Sequence, residues 1–141
     1  MEARRGNAAW GGVDVSEAFH QPDASNDAAS TRLQLAGTLA SQGRIDDAVE
    51  IYRQLILQSP DSVDAHTHLG IVLGAVGRND EARATLEAAL ALAPRAAEVR
   101  LNLAQVEVSL DANGEAASHF RSVLQDRPED VEALTGLADA L

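Results

Sequence analysis

From about Ser30 to the last residue, apolar positions recur at helical spacing and are interrupted by short polar turns. Leu35 and Leu39, then Ala48, Tyr52 and Leu55, fall on i, i+3 and i+4 steps, the pattern of one-sided helices. No stretch alternates with the period of two that a strand requires. The spacing predicts helices over 29–42, 45–58, 62–76, 79–92, 96–110, 114–126 and 130–141. Residues 1–28 keep no sustained period and are rich in Gly, Ala, Asp, Ser and Asn. They read as a flexible leader with one short helical turn around Ser16 to His20. Trp10 and Phe19 carry enough apolar area to dock that leader on a nearby surface.

The helices come in pairs, and the pairs repeat. Pro60, Pro94 and Pro128 are evenly spaced, and the same interval separates Ala48, Ala82 and Ala116, and Leu35, Leu69, Leu103 and Leu137. Three registers that agree on one period, about 34 residues, mark a repeat array. Gly43 and Gly77 fall between the helices of the first two pairs, where a left-handed cap suits glycine. Asp111 holds that place in the third pair, with Asn113 and Gly114 just after. Each proline follows a second helix and helps to stop it. Asp61 is expected to cap the next helix, whereas Arg95 at the matching place is a poor cap and should leave that helix start frayed.

Composition narrows the picture further. Apolar residues make up 45% of the 141, enough for a packed core. Aromatics are only Trp10, Phe19, Tyr52 and Phe120, so the core must be built from small and aliphatic side chains. Net charge is −11 and every basic residue is arginine. Such a chain would repel nucleic-acid phosphates and anionic membranes. With no cysteine, disulfides, thiolate catalysis and cysteine-based zinc sites are excluded. The start Met1-Glu2-Ala3-Arg4-Arg5 leads into no apolar core of a signal peptide. No window reaches the roughly 18 apolar residues of a spanning helix. A cytoplasmic location is expected.

The periodic part resembles the tetratricopeptide repeat family, whose signature is W-x2-L-G-x2-Y, then A-x3-F, then P, in one repeat. The first unit shows Leu35-Ala36, Leu39, Ala48-x3-Tyr52 and Pro60. The second shows Leu69-Gly70, Leu73, Ala82-x3-Leu86 and Pro94, and the third Leu103-Ala104, Glu107, Ala116-x3-Phe120 and Pro128. A fourth begins with Leu137-Ala138. The repeats are placed at about 29–62, 63–96, 97–130 and, in part, 131–141. The Trp position is taken by Arg32, His66, Arg100 and Leu134, so the usual aromatic wedge is missing. Glu107 stands where an apolar residue is expected and should weaken the third hairpin. The resemblance implies an all-α, right-handed superhelical solenoid of antiparallel hairpins, with a concave face and no cofactor.

Catalytic and metal constellations fare poorly. His66 and His68 are two apart on a helix and point to different faces, while His20 and His119 stand isolated. The run Asp111 to Glu115 lacks the ligand order of a calcium loop. Gly70, Gly74 and Gly77 follow no strand, and without lysine there is no P-loop. Acidic pairs such as Asp46-Asp47 and Asp80-Glu81 sit at helix starts, where the helix dipole favours them.

The concave face remains. By resemblance, ligands of this family lie along the first helix of each hairpin. That places Leu33, Gly37 and Ala40, then Thr67, Ile71 and Gly74, then Leu101, Gln105 and Val108, then Thr135 and Asp139 along a groove. Gln34, His68 and Asn102 run beside them, and amide groups there could pair with a peptide backbone. Asp64, Glu98 and Glu132 form an acidic rim. The expected function is therefore a protein-interaction module, with no nucleic acid or membrane partner, that takes a peptide or partner helix in this groove. The alternative is the recognition region of a larger enzyme such as a glycosyltransferase, sulfotransferase or hydroxylase. Family members that grip acidic chaperone tails use Lys, Arg and Asn; here Leu33, Gly37, His68, Glu98 and Asn102 occupy those places and only Asn102 fits. In the last helix, Val131, Leu134, Leu137, Ala138 and Leu141 share an apolar face that earlier hairpins would bury. The expectation is that the natural protein continues, and that in isolation this end self-associates.

Overall fold

The computed structural model describes residues 22–141. They form seven helices: α1 (Pro22–Ser41), α2 (Ile45–Gln58), α3 (Val63–Ala75), α4 (Asn79–Leu92), α5 (Ala97–Ser109), α6 (Asn113–Asp126) and α7 (Val131–Ala140). Among the described residues there is no strand. Six helices start and end within one residue of the expected bounds. The exception is α1, which begins at Pro22 rather than at residue 29. Proline suits a first helical position, since its φ is already helical and its missing N–H would have no partner there. The expected turn at Ser16 to His20, and Trp10 and Phe19, lie outside the described residues.

The chain divides into a unit that ends at Leu35 and a second that runs from Ala36 to Leu141. The first unit, where described, is helical. In the second, consecutive helices pack antiparallel as hairpins, and the first helices α3, α5 and α7 also lie side by side. The turns follow one design. Gly43 and Gly77 have φ of +82° and +83°, and Asp111 reaches +60°. Asp is among the few non-glycine residues that tolerate this region. Each turn closes with the same long bond, from Arg44 N–H to the Leu39 carbonyl, Arg78 N–H to Leu73, and Ala112 N–H to Glu107, at 2.8–2.9 Å. These bonds satisfy carbonyls that a helix end otherwise leaves open.

Helix starts depart from expectation. Ser62, not Asp61, caps α3: its hydroxyl accepts from the Ala65 N–H at 3.2 Å. Asp130 caps α7 in the same way, accepting from Ala133 N–H at 2.9 Å. The α5 cap is Ala96, one residue beyond Arg95, and supplies no side-chain acceptor.

The core is what the repeat register dictates. Ala36, Ala48, Ala82, Ala104 and Ala116 are fully buried and let helix backbones approach closely. Tyr52, Leu86 and Phe120 fill the space this leaves. Close approach is most severe at Gly70 and Gly136. A Cβ at Gly70 would stand 2.4 Å from Leu86 Cγ, and one at Gly136 would stand 2.2 Å from Phe120 Cζ.

Glu107 holds the position that Leu73 holds one repeat earlier, and it is only 1% exposed. It is not unsupported there. His119 of α6 lies with Nδ1 2.7 Å from Glu107 Oε1, and Arg83 of α4 approaches Oε2 at 3.8 Å. The carboxylate thus ties three helices together, and His119 is not isolated. A buried charge with partners avoids most of the penalty of a bare one.

The α7 helix packs through Ala133, Leu137 and Ala140. Its stripe of Val131, Leu134, Ala138 and Leu141 is exposed, Leu141 to 81%. The matching residues Ala104 and Leu73 are buried. The difference is the second helix, which covers this face in the preceding hairpins.

Candidate functional site: clefts along the first helices

Among the described residues, two clefts open between neighbouring first helices. The one between α3 and α5 has a volume of about 270 Å³ and is lined by Ile71, Gly74, Leu86, Asn102, Gln105 and Ser109, among others. The one between α5 and α7 is larger, about 590 Å³, and is lined by Gln105, Val108, Val131, Glu132, Thr135 and Asp139, with Phe120 and Gly136 at its back. Gln105 of α5 borders both.

The clefts are copies of one site in successive repeats. Ile71, Gly74, Leu86, Asn102 and Gln105 of the first correspond, one repeat on, to Gln105, Val108, Phe120, Gly136 and Asp139 of the second. All five positions differ, and two of the differences remove an amide. Gly136 replaces Asn102, so the second cleft lacks a side chain at that point. Phe120, itself fully buried, sets this, because its ring fills the place where a Cβ would sit. Asp139 replaces Gln105, so an exposed carboxylate stands where the first cleft has an amide.

Of the residues that the sequence places in a groove, Ile71, Gly74, Asn102 and Gln105 meet in the first cleft. Leu101 does not join them. It is 5% exposed and belongs to the core cluster with Ala104, Phe120 and Ala133, so it is a packing residue. Leu33, half-buried, and Gln34, exposed, lie in the unit that ends at Leu35. A Cβ at Gly37 would stand 3.8 Å from the Tyr52 hydroxyl, an ordinary contact. Thr67 turns its hydroxyl onto the Val63 carbonyl at 2.7 Å. Asp64 and Glu98 are exposed in the first turns of α3 and α5.

The row of polar groups is less free than its spacing implies. The Asn102 amide donates to the Glu98 carbonyl of its own helix at 2.8 Å. His68 stacks on Tyr52, with ring centroids 6.2 Å apart and planes inclined by 23°. Gln105 is the exposed amide at the junction of the clefts. His66 is buried, and its Nδ1 lies 2.8 Å from the Ser62 carbonyl. Among the described residues no group of three His, Asp or Glu could hold a metal ion. Sequence reasoning missed Gly136 and Phe120 as makers of the second cleft. The signal available was the register, since position 136 lies one full repeat after Asn102.

No arginine lines either cleft. Several arginines are engaged elsewhere. Arg78 and Arg53 converge on Glu81 at 2.8 and 3.0 Å, which holds that carboxylate below its ordinary pKa, mainly through the Arg78 hydrogen bond. Arg44 pairs with Asp47, and Arg83 with Glu87 and Glu107. The second cleft therefore carries Glu132 and Asp139 and no lining cation to offset them, while Asp64 and Glu98 line neither cleft. No helix among the described residues is long and apolar enough to cross a membrane.

Comparison with known proteins agrees with this architecture. The first such domain of Spaghetti (RPAP3), bound to the HSP90 peptide SRMEEVD, superposes with a TM-score of 0.75 at 19% identity, over 79% of this chain and 89% of that one. The second domain of human RPAP3, in complex with the HSP70 peptide SGPTIEEVD, has a TM-score of 0.75 at 18% identity, over 79% and 93%. MamA from Desulfovibrio magneticus RS-1 has a TM-score of 0.74 at 17% identity, over 79% of this chain and 63% of that one. At such identities the likeness speaks to the fold alone. The curated proteins contain no match to the chain. Two sequence models of the same repeat match in tandem, one over residues 29–72 and the other over 69–124, and the chain belongs to the tetratricopeptide repeat family.

Proposed function

We propose that this chain is a protein-interaction module that holds an extended peptide segment across α3, α5 and α7. The observation that carries this reading is the pair of register-matched clefts sharing the exposed Gln105. Successive first helices lie roughly 8–10 Å apart, the usual separation of packed helices. An extended chain advances about 3.3 Å per residue. Side chains about three residues apart would thus enter successive clefts. Gln105 can donate to and accept from the peptide backbone between them. That RPAP3 domains of this fold carry bound peptides supports a peptide as the kind of ligand.

The charge of the groove selects against the tails bound by those neighbours. A peptide rich in carboxylates would face Glu132 and Asp139 without a lining arginine. The test has two arms. The peptide SRMEEVD should show no binding at micromolar concentration. Phage display of random twelve-residue peptides on the full chain should instead enrich binders that Gln105→Arg weakens and Ser118→Arg, on the exposed side of α6, leaves unchanged. Tight binding of SRMEEVD, or binders indifferent to Gln105→Arg, would defeat the reading.

A further inference from the structure

The two clefts are one site in two chemical versions, and the second version specifies a ligand. In the α3–α5 cleft, Asn102 and Gln105 present neutral amides. In the α5–α7 cleft, Gly136 and Asp139 occupy those positions. The α5–α7 cleft has lost the Asn102 side chain and measures about 590 Å³, against about 270 Å³ for the first. Phe120 enforces this loss, since any Cβ at position 136 would collide with its ring. The larger cleft is bordered by Val108 and by Val131, which is 74% exposed. Glu132 and Asp139, both exposed and both on α7, add two carboxylates to the same border, and no cation lines it.

From this we infer that the α5–α7 cleft takes an aliphatic or aromatic side chain of a partner peptide flanked by lysine or arginine. The inference rests on the groove reading above and adds the ligand's chemistry. Charge complementarity argues for this occupant. A side chain seated between Val108 and Val131 sheds water from its apolar surface, and a neighbouring cation then lies beside Glu132 and Asp139. Arg is favoured over Lys at such a place, because its flat, weakly hydrated head can pair with a carboxylate while its stem covers apolar surface. A neutral residue about three positions away would meet Asn102 and Gln105 in the first cleft.

The experiment uses the full chain against the same twelve-residue phage library, with enriched peptides resynthesised and their affinities measured. The inference expects an aliphatic or aromatic residue next to Lys or Arg in most binders. Reversing the border with Glu132→Lys and Asp139→Lys should lower their affinity about tenfold near 0.1 M salt, and the loss should shrink at 1 M as screening shortens the reach of the charges. Both positions are exposed, so the variant should keep its melting temperature within a few degrees; Glu132→Gln with Asp139→Asn, expected to give a smaller loss in the same direction, guards against a folding defect. Binders without basic residues, weakened by Gln105→Arg but not by the α7 variants, would overturn the inference and leave the groove reading standing. Binders indifferent to all these variants, or a library with no binders, would overturn both. A second copy filling the cleft, seen as dimers in sedimentation that the α7 variants abolish, would also overturn it.

Discussion

The pairing of Glu107 with His119 offers the sharpest test of the packing argument. Removing His119 leaves a carboxylate that is 1% exposed with one remaining partner, Arg83 at 3.8 Å. Breaking a buried pair by deleting one member costs about 3–5 kcal/mol. Because Arg83 stays and His119 is partly exposed, the low end applies, and His119→Ala should cost about 3 kcal/mol. Glu107→Leu should act in the opposite direction. Leu73 occupies this register one repeat earlier and is equally buried, so the site accepts a leucine's shape. Replacing a buried charge by well-packed hydrocarbon is neutral or stabilising by about 1–4 kcal/mol. In the Glu107→Leu background, His119→Ala has no stranded carboxylate to expose and should cost less than about 1 kcal/mol. The coupling between the two sites is then about 2 kcal/mol or more. Urea melts followed by circular dichroism, at one pH and salt concentration, measure all four proteins. Equal costs of His119→Ala in both backgrounds would refute the reasoning, as would strong destabilisation by Glu107→Leu.

Other outcomes follow from single contacts. Gly70→Ala and Gly136→Ala should each lose about 1–3 kcal/mol despite better helix propensity, because the new methyl strikes Leu86 or Phe120. Gly74→Ala, whose Cβ presses only on a Val106 methyl at 3.2 Å, should stay within about 0.5 kcal/mol, since a propensity gain of about 1 kcal/mol offsets the squeeze; thermal melts of the three rank them. Ser62→Ala and Asp130→Ala should each cost about 1 kcal/mol, whereas Asp61→Ala should cost much less, which chemical denaturation resolves. Tyr52 is the chain's one tyrosine, and burial raises its pKa above the ordinary 10.0. The neutral phenol is favoured in the fold, so its contribution is complete below pH 10 and is lost as pH rises through the higher folded value. Ultraviolet titration should show phenolate forming late, or together with alkaline unfolding; ionisation at the ordinary pKa in the folded chain would contradict the burial.

Much of this protein is written into local sequence. A regular spacing of Ala, Leu and Pro is enough to place helix pairs, because helix period, turn chemistry and proline stops act over a few residues each. Gly43, Gly77 and Asp111 were legible as left-handed turns for the same reason, since a backbone conformation is a property of one residue and its neighbours. The helix that starts at Pro22 was less legible, because its first turns carry no apolar period to announce them. What escaped was decided between helices. Position alone puts Leu101 on the groove face, yet neighbouring helices enclose it in the core. Glu107 reads as a defect until α4 and α6 bring Arg83 and His119 to it. Gly136 reads as a weak helix residue until the Phe120 ring is found where its side chain would have been. Spacing can say which residues share a face, but only the distance between two packed backbones decides whether a side chain is buried, paired or forbidden. The larger, acidic cleft therefore appears only once α5, α6 and α7 have closed on one another.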